Sequence, residues 1–350
     1  MTRLDPREKE AELAPGGRIL RYDRLLLATG ASARGLEVPG FDLGRVYRLR
    51  SLADAKGLRA AARAASRAVV IGTGWVGTEV AASLRRLGLE VALVGRSAVP
   101  FQRTLGVDVG RVFAAVHADH GVELHLGVQV TSLAGRRRVE EVRLADGRAL
   151  PCDLVVAGLG APPRTELAEA AGLAVADGIL TDSHLETGVP GVFAAGDVAN
   201  LPHPVLGARL RVEHWWGALT EGPVAAANLL GHRAVYGWVP TFTSRQHDML
   251  VEHTGHAAAW DQVVVRGDLD QRSFVALWMR RGRVLAGMNA NTPGAARHIQ
   301  AMVTTGRRID PELLVDPRVD LGALAPPGSA GRPAEESTDH RRATERSTHE

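Results

Sequence analysis

Cysteine is almost absent from this chain of 350 residues, in which Cys152 is the single example. One cysteine cannot build an intramolecular disulfide framework, a cysteine-based zinc site or a CxxC redox pair. The composition therefore excludes the protein classes that depend on those features, and it is typical of a protein that works in the cytoplasm.

Long hydrophobic runs are absent as well. No apolar run reaches the roughly 18 residues that a membrane-spanning helix needs, and the first ten residues contain no apolar segment of the kind found in a secretory signal. We therefore expect neither a membrane partner nor a cleaved leader.

Lysine is scarce, since only Lys9 and Lys56 occur and nearly all of the 42 basic residues are arginine. The 39 acidic residues leave a net charge of only +3. No basic stripe interleaved with aromatic residues is present, so we expect no nucleic-acid partner. With 45% hydrophobic residues, the chain can form two or three domains with real cores.

One complete βαβ unit is present, with strands predicted at 68–71 and 90–94 and a helix at 78–87. The intervening turn has the dinucleotide spacing GxGxxG. Its first glycine permits the tight turn, the second lets the backbone approach a pyrophosphate, and the third lets helix and strand pack closely. The alternative is a glycine-rich turn without a ligand. The predicted turn consists of Gly72, Thr73, Gly74, Trp75, Val76 and Gly77.

The residue after the second strand of this unit indicates which nucleotide binds. An acidic residue there would accept from the ribose 2′-hydroxyl of NAD, but this chain has Arg96 after Gly95. A guanidinium suits a 2′-phosphate, and Arg103 supplies a second cation nearby, so the pattern favours NADP over NAD. The alternative is that Arg96 is one more surface arginine.

Two further strand ends, Ala28-Thr29-Gly30 and Ala195-Gly196-Asp197, place a small residue or a carboxylate where ligands of open α/β sheets bind. Together with the βαβ unit between them, they resemble the pyridine nucleotide–disulfide oxidoreductase superfamily. Within it, the chain is most similar to the FAD-dependent ferredoxin reductases of the putidaredoxin and rubredoxin reductase type. The resemblance extends over residues 3–320 in order and is carried by residues 22–30 with Arg34, 69–94, 158–160, 165–168, 192–197 and 211–216.

The resemblance implies an α/β fold in which a Rossmann-like NAD(P)-binding domain is inserted into a truncated FAD-binding domain. A C-terminal α+β domain follows, in agreement with the alternating apolar segments over 240–290. The expected divisions are 1–50 (first FAD segment), 51–165 (NAD(P) domain), 166–238 (second FAD segment), 239–322 (C-terminal domain) and 323–350 (disordered tail).

The same resemblance implies the cofactor-binding roles. Thr29, Gly30 and Arg34 would meet the FAD phosphate and ribose, and Asp197 after Gly196 would bind the ribitol. The alternative for Asp197 is a turn or helix-capping aspartate. The backbone of Glu213, His214 and Trp215 would lie at the flavin pyrimidine edge, and Gly158, Leu159 and Gly160 would pass near the nicotinamide nucleotide.

The chain departs from the family in two places. No strand–GxGxxG–helix unit for the FAD pyrophosphate precedes residue 72, so we expect either a mis-assigned start or a chain that has lost flavin binding, and we favour the first. In addition, Thr243 and Arg245 stand where the family commonly has tryptophan and aspartate, which predicts a more open flavin face.

The expected function is hydride transfer from NAD(P)H to FAD, followed by single-electron transfer to a ferredoxin-like iron–sulfur partner. The alternative is a flavin-free NADP-binding or interaction protein. No catalytic nucleophile is evident. The pairs His117/His120 and His253/His256 have i, i+3 spacing but no matching third ligand, so we expect solvent-facing histidines and no metal.

Overall fold

The computed structural model describes residues 1–325. The prediction of a disordered tail over 323–350 was wrong at its start, because a short helix extends over Leu321–Leu324 and buries Leu321. Residues 326–350 lie outside the described residues. Within residues 1–325, no helix is both long and apolar enough to cross a membrane.

The inserted nucleotide domain is built on a five-stranded parallel sheet in the order β5-β12-β6-β7-β8. Its central strands are continuous apolar runs because both faces of the sheet are covered, one by the helices of residues 52–62 and 75–86 and the other by the antiparallel strands of residues 130–151. A capping box between Ser51 and Asp54 begins the first helix. The elements are β5 (Val46–Arg48), α1 (Leu52–Ala62), β6 (Arg67–Ile71), α2 (Trp75–Arg86), β7 (Glu90–Gly95), α3 (Gln102–Leu105), α4 (Val107–Asp119), β8 (Val122–Leu126), β9 (Val130–Ala134), β10 (Glu141–Leu144), β11 (Ala149–Pro151) and β12 (Leu154–Ala157).

The segments before and after this domain share one core. Strand β4 pairs in parallel with β14, although some 160 residues separate them, and Leu4, Leu27, Ala168 and Val192 pack in one cluster. This arrangement confirms the predicted fold class, in which one α/β domain is inserted into another. The elements are β1 (Arg3–Asp5), β2 (Glu10–Leu13), β3 (Arg18–Arg21), β4 (Leu25–Leu27), α5 (Glu166–Ala170), β13 (Ile179–Leu180), β14 (Val192–Ala194), β15 (Ala199–His203), β16 (Ala208–Leu210) and α6 (Trp215–Leu229).

The C-terminal domain is a five-stranded antiparallel sheet in the order β17-β18-β21-β20-β19. Alternation along β20 sends Phe274 and Trp278 toward α3 and α4 of the nucleotide domain, and Val275 and Leu277 toward the last helices. The elements are β17 (Thr241–Gln246), β18 (Met249–Gly255), β19 (Gln262–Asp268), β20 (Ser273–Arg280), β21 (Arg283–Ala290), α7 (Ala295–Thr305), α8 (Pro311–Val315) and α9 (Leu321–Leu324).

Histidines join α4 to the turn between β17 and β18. His117 is fully buried, with its Nε2 3.1 Å from Gln246 Oε1 and its Nδ1 3.2 Å from His247 Nε2. His120 stacks on His247 with ring centroids 4.2 Å apart. The prediction of solvent-facing histidines was therefore wrong for His117, because the C-terminal sheet covers that face of α4.

The surroundings of this cluster favour the neutral form of its imidazoles. Burial lowers the pKa of His117, and burial together with His117, His120 and Arg86 lowers the pKa of His247 to about 4, against an opposing effect of Asp248. If His117 Nε2–H donates to Gln246, its Nδ1 must accept from His247, and a proton on Nδ1 would break that bond. Arg272 lies beside the cluster, paired with Asp119 and Asp248.

The histidine cluster makes folding stability dependent on pH. A histidine whose folded pKa is depressed stabilises the protein fully above its unfolded pKa of about 6.5 and loses that contribution as pH falls toward the folded value. We expect the free energy of unfolding to fall between about pH 6.5 and 4 by about 1–2 kcal/mol, after allowance for solvent screening at the half-exposed His247.

Chemical denaturation across this pH range, compared with His247→Asn, measures the effect. Asparagine tolerates the left-handed backbone of this turn (φ 54°) and cannot titrate, so its pH slope should be shallower. The exposed His232→Asn serves as the control. Identical slopes for His247→Asn and the original protein would contradict the assignment.

Candidate functional site

The glycine-rich turn between β6 and α2 is held by contacts that only glycine allows. Gly72 has φ +111° and donates its N–H to the carbonyl of Val94 at 2.8 Å. A Cβ at Gly77 would lie 1.9 Å from Gly72 O, and a Cβ at Gly72 would lie 2.2 Å from Gly158 O. The first and third glycines are thus required by the protein's own packing.

The middle glycine is different. Gly74 is the N-cap of α2, is exposed, and has open space around the position of a Cβ. No side chain caps the first turn of this 12-residue helix, so its free N–H groups face outward between Thr73 and Val76. This combination of bare backbone and helix N-terminus can hold a pyrophosphate.

Of the two predicted phosphate-binding arginines, Arg96 lies beside this turn, and Arg103 lies two residues after Phe101, whose N–H donates to the carbonyl of Thr73 at 3.1 Å. Gly95 ends β7 with its Cβ position only 2.4 Å from Thr73 Cγ2, and Arg96 follows it directly. Both Arg96 and Arg103 are exposed, and within residues 1–325 neither forms a salt bridge. They are therefore free to meet an anion.

The loops that follow β4 and β12 lie side by side. The Thr29 hydroxyl donates to the carbonyl of Arg164 at 2.7 Å, and the Arg34 N–H donates to the carbonyl of Gly160 at 3.0 Å. Gly30 has φ +68°, which the turn after β4 requires. Gly158, Leu159 and Gly160 thus connect the glycine-rich turn of the nucleotide domain to the loop containing Thr29, Gly30 and Arg34.

Asp197 is nearly buried and forms an ion pair with Arg50. Arg50 also donates from Nε to the carbonyl of Ala31 at 3.2 Å, and Arg211 donates to the Asp197 carbonyl at 3.1 Å. The carboxylate therefore contacts a distant side chain, which disfavours the alternative of a local turn or capping aspartate. No role for Arg50 was predicted from the sequence, because no motif indicates that it pairs with Asp197.

A buried carboxyl group lies behind Asp197. Glu221, on α6, accepts from the Gly196 N–H at 2.7 Å, and Gly196 has φ +76°. Burial raises the pKa of Glu221 to about 8, with a further contribution from Asp197. The carboxyl is therefore largely protonated at pH 7, which keeps a second negative charge away from Asp197.

The start of α6 lies next to Asp197. His214 caps the helix by accepting from the Trp216 N–H at 3.2 Å, and Arg211 lies 3.5 Å from Glu213. Trp215 is 62% exposed, an unusual fraction for so large an apolar side chain. The segment containing Glu213, His214 and Trp215 thus presents free backbone and an uncovered indole at a helix N-terminus.

Strand β17 brings an aromatic ring to the same region. Phe242 lies 4.8 Å from Trp75 and 5.7 Å from His214 between ring centroids. Trp75, the first residue of α2, also packs on Phe101 at 4.3 Å. Thr243 is exposed, so Phe242 is the aromatic side chain that β17 contributes here. Neither the role of Phe242 nor its contacts were predicted from the sequence.

Glu79 connects α2 to the same strand. Its carboxylate accepts from the Ser244 hydroxyl at 2.5 Å, and burial raises its pKa. Ser244 in turn accepts from Gln246, the partner of His117. Glu79 and Arg50 line one cavity of about 470 Å³ between α1 and α2, together with mainly apolar side chains such as Leu58.

Among residues 1–325, no group of three or more His, Cys, Asp or Glu side chains is arranged so that it could hold a metal ion. His253 stacks on Phe242 at 5.0 Å between ring centroids, and His256 is exposed. His253 therefore packs among aromatic rings at the site rather than facing solvent.

Comparisons with known proteins agree with this arrangement. Residues 1–222 match the family described as pyridine nucleotide-disulphide oxidoreductase, and residues 241–325 match the family described as reductase C-terminal. A probable ferredoxin reductase of Castellaniella defragrans is 37% identical over 306 residues, which cover 87% of this chain and 75% of the relative. Putidaredoxin reductase of Pseudomonas putida is 34% identical over 321 residues, covering 90% and 76%.

Solved structures are similar over the same extent. The ferredoxin reductase of the CYP199A2 system from Rhodopseudomonas palustris superposes with a TM-score of 0.88 at 35% identity, covering 93% of this chain and 81% of that one. The reductase–putidaredoxin covalent complex gives 0.88 at 33% identity, covering 93% and 80%. The fold and site thus define an α/β oxidoreductase with two nucleotide-binding regions. The chain belongs to the pyridine nucleotide-disulphide oxidoreductase family.

Two glycine substitutions distinguish the effect of this turn on stability from its effect on NADPH binding. Gly77→Ala should destabilise the protein by several kcal/mol, because its Cβ would overlap Gly72 O. Gly74→Ala should keep the fold and lose NADPH affinity, because the added methyl group has space until a pyrophosphate approaches.

Thermal unfolding and NADPH fluorescence titration measure the two effects. Gly222→Ala within α6, which also has open space at its Cβ position, is the control: it should leave NADPH affinity unchanged and raise the melting temperature slightly, because alanine has the higher helix propensity. Unaltered NADPH affinity in Gly74→Ala would contradict a pyrophosphate site at this turn.

Proposed function

We propose that this protein is a reductase that passes hydride from NAD(P)H to FAD and then single electrons to a ferredoxin-like iron–sulfur partner. The observation that carries the proposal is the convergence of α2, the start of α6 and β17 around Trp75, His214 and Phe242. The named ferredoxin reductases among its relatives support the reaction class, and the putidaredoxin complex supports the class of partner.

In the nicotinamide site, the backbone of Gly72, Thr73, Gly74 and the first turn of α2 would hold the pyrophosphate. Trp75 and Val76 begin that turn, and Gly77 allows α2 to approach β6. Arg96 and Arg103 would meet the 2′-phosphate of NADP, and Gly158, Leu159 and Gly160 would border the nicotinamide half.

In the flavin site, Asp197 with Arg50 would bind the ribitol, and the backbone of Glu213, His214 and Trp215 would contact the pyrimidine edge. Thr29, Gly30 and Arg34 would bind the phosphate and ribose region, and Gly196 would allow the backbone to approach. These residues fit the group, since Trp215 is uncovered and the α6 N-terminus lies beside Asp197. FAD supplies the hydride and single-electron chemistry, while the protein positions it and excludes water.

The second candidate is a protein that binds NADP without a flavin. It is favoured by one observation: the glycine-rich turn, with Arg96 and Arg103 exposed, needs no flavin-site residue to hold a dinucleotide. Both candidates require the nicotinamide site, so only flavin binding separates them.

Reconstitution with FAD distinguishes these two functions. We expect the purified protein, incubated with FAD and desalted, to retain flavin absorbance, and Asp197→Ala to retain about ten-fold less, because the charge-assisted contact to the ribitol is lost. Arg136→Gln, an exposed turn residue outside the site, is the control. A colourless protein that still binds NADPH would support the flavin-free alternative.

Arg96 is proposed to set the nucleotide preference. Arg96→Glu should shift the ratio of NADPH to NADH affinity toward NADH by about ten- to hundred-fold, because the glutamate repels a 2′-phosphate and accepts from a 2′-hydroxyl. Fluorescence titration with both nucleotides measures the ratio, with Arg136→Glu as the charge-matched control. An unchanged ratio would leave Arg96 as an ordinary surface arginine.

We also propose that the protein works in the cytoplasm. Cys152 is buried, and burial raises the pKa of its thiol to about 12, so the thiol stays protonated and unreactive. A chain stabilised without disulfides suits a reducing compartment.

A further inference from the structure

A second cavity of about 470 Å³ lies at the end of the β20–β21 hairpin, away from the residues of the cofactor site. Its walls come from two parts of the chain, the C-terminal domain and the connection between β15 and β16. Four of its seven lining residues are arginines, and none is acidic. The lining residues are Leu206, Gly207, Arg280, Arg281, Arg283, Leu285 and Arg308.

Three of these arginines form a row across neighbouring backbone segments. Arg280 on β20 pairs directly with Arg283 on β21, and Arg283 forms a bridge with Arg308 beyond the sheet edge. Directly paired residues share one face with their Cβ atoms about 5 Å apart. Like charges in such positions repel, so the row destabilises the protein unless something neutralises it.

The row of arginines forms no ion pairs of its own within the described residues. Within residues 1–325, the side chains of Arg280, Arg281, Arg283 and Arg308 form no salt bridge. One carboxylate lies beside the row, because Asp261 accepts from the Arg281 N–H at 2.8 Å, and Asp310 caps α8. Four guanidinium groups beside Asp261 still leave a net positive charge.

The turn brings the fourth guanidinium to the same place. Arg281 and Gly282 form the two-residue loop of the hairpin with φ values of 51° and 74°, the left-handed pair of a type I′ turn. Asparagine or glycine normally occupies the first of these positions. An arginine in this position has a strained backbone and places a second positive charge next to Arg280. Both effects lower stability, so stability alone does not explain why arginine occurs here.

We propose that this cavity binds a small polyphosphate-bearing ligand of the nucleoside polyphosphate class. Guanidinium groups match phosphate oxygens bidentately, and four of them around one cavity fit several phosphates. Leu206 and Leu285 supply apolar wall for the part of the ligand without charge. A concave site of this volume is the size of a small-molecule pocket, which favours a small ligand over an acidic protein surface.

The site is independent of the proposed reductase chemistry. None of its lining residues belongs to the flavin or nicotinamide site, so it can be tested whether or not flavin binds. A ligand held there would bridge the C-terminal domain and the β15–β16 connection, and would therefore stabilise the contact between them.

Inorganic tripolyphosphate and ATP are suitable probes for calorimetric titration of the full chain at low salt. We expect both to bind, and Arg280→Gln/Arg283→Gln to weaken binding by about ten-fold or more for each arginine removed. Arg136→Gln should bind as the original protein does. Arg96→Glu should also retain tripolyphosphate binding, which separates this cavity from the nicotinamide site.

Thermal unfolding without ligand provides a second readout. Arg283→Gln should raise the melting temperature at low salt, because it removes repulsion between neighbouring arginines. At high salt it should have no effect, because salt already screens that repulsion. Loss of tripolyphosphate binding in Arg96→Glu but not in the double variant would overturn the proposal. The proposal would also be overturned if neither tripolyphosphate nor ATP bound, even if an acidic protein bound these arginines.

Discussion

The backbones of three glycines, Gly72, Gly77 and Gly158, are in close contact, and the rest of the site depends on this contact. It lets α2 approach β6 and β12 at distances that any Cβ would prevent, and so fixes where the helix N-terminus points. Trp75 then starts the helix against Phe101 and Phe242, which ties the nucleotide turn to the C-terminal sheet.

An ion pair also joins the two parts of the chain that flank the inserted nucleotide domain. The Arg50–Asp197 pair joins the end of the first segment to the second, across the inserted domain. Burial raises the pKa of Glu221 behind this pair to about 8, which favours the neutral form of that carboxyl group next to Asp197. A half-buried pair of this kind is geometrically specific, since breaking it leaves a nearly buried charge without a partner.

Much of the fold was predicted from local sequence patterns. The βαβ unit, the alternating strands of residues 240–290 and the order of strand ends are all visible in short windows, and the inserted α/β architecture followed from the resemblance. Contacts between distant residues were not visible. Arg50 and Asp197 are 147 positions apart, and Glu79 and Ser244 are 165 apart. His117 was misjudged because nothing in α4 shows that a sheet from another domain covers it.

The reductase function is tested most directly by an anaerobic titration of the FAD-loaded protein with NADPH, followed by an iron–sulfur acceptor. We expect one NADPH to bleach the flavin absorbance of one protein, and two equivalents of a one-electron acceptor to restore it, since a hydride delivers two electrons. A flavin spectrum that NADPH and NADH both leave unchanged would contradict this function.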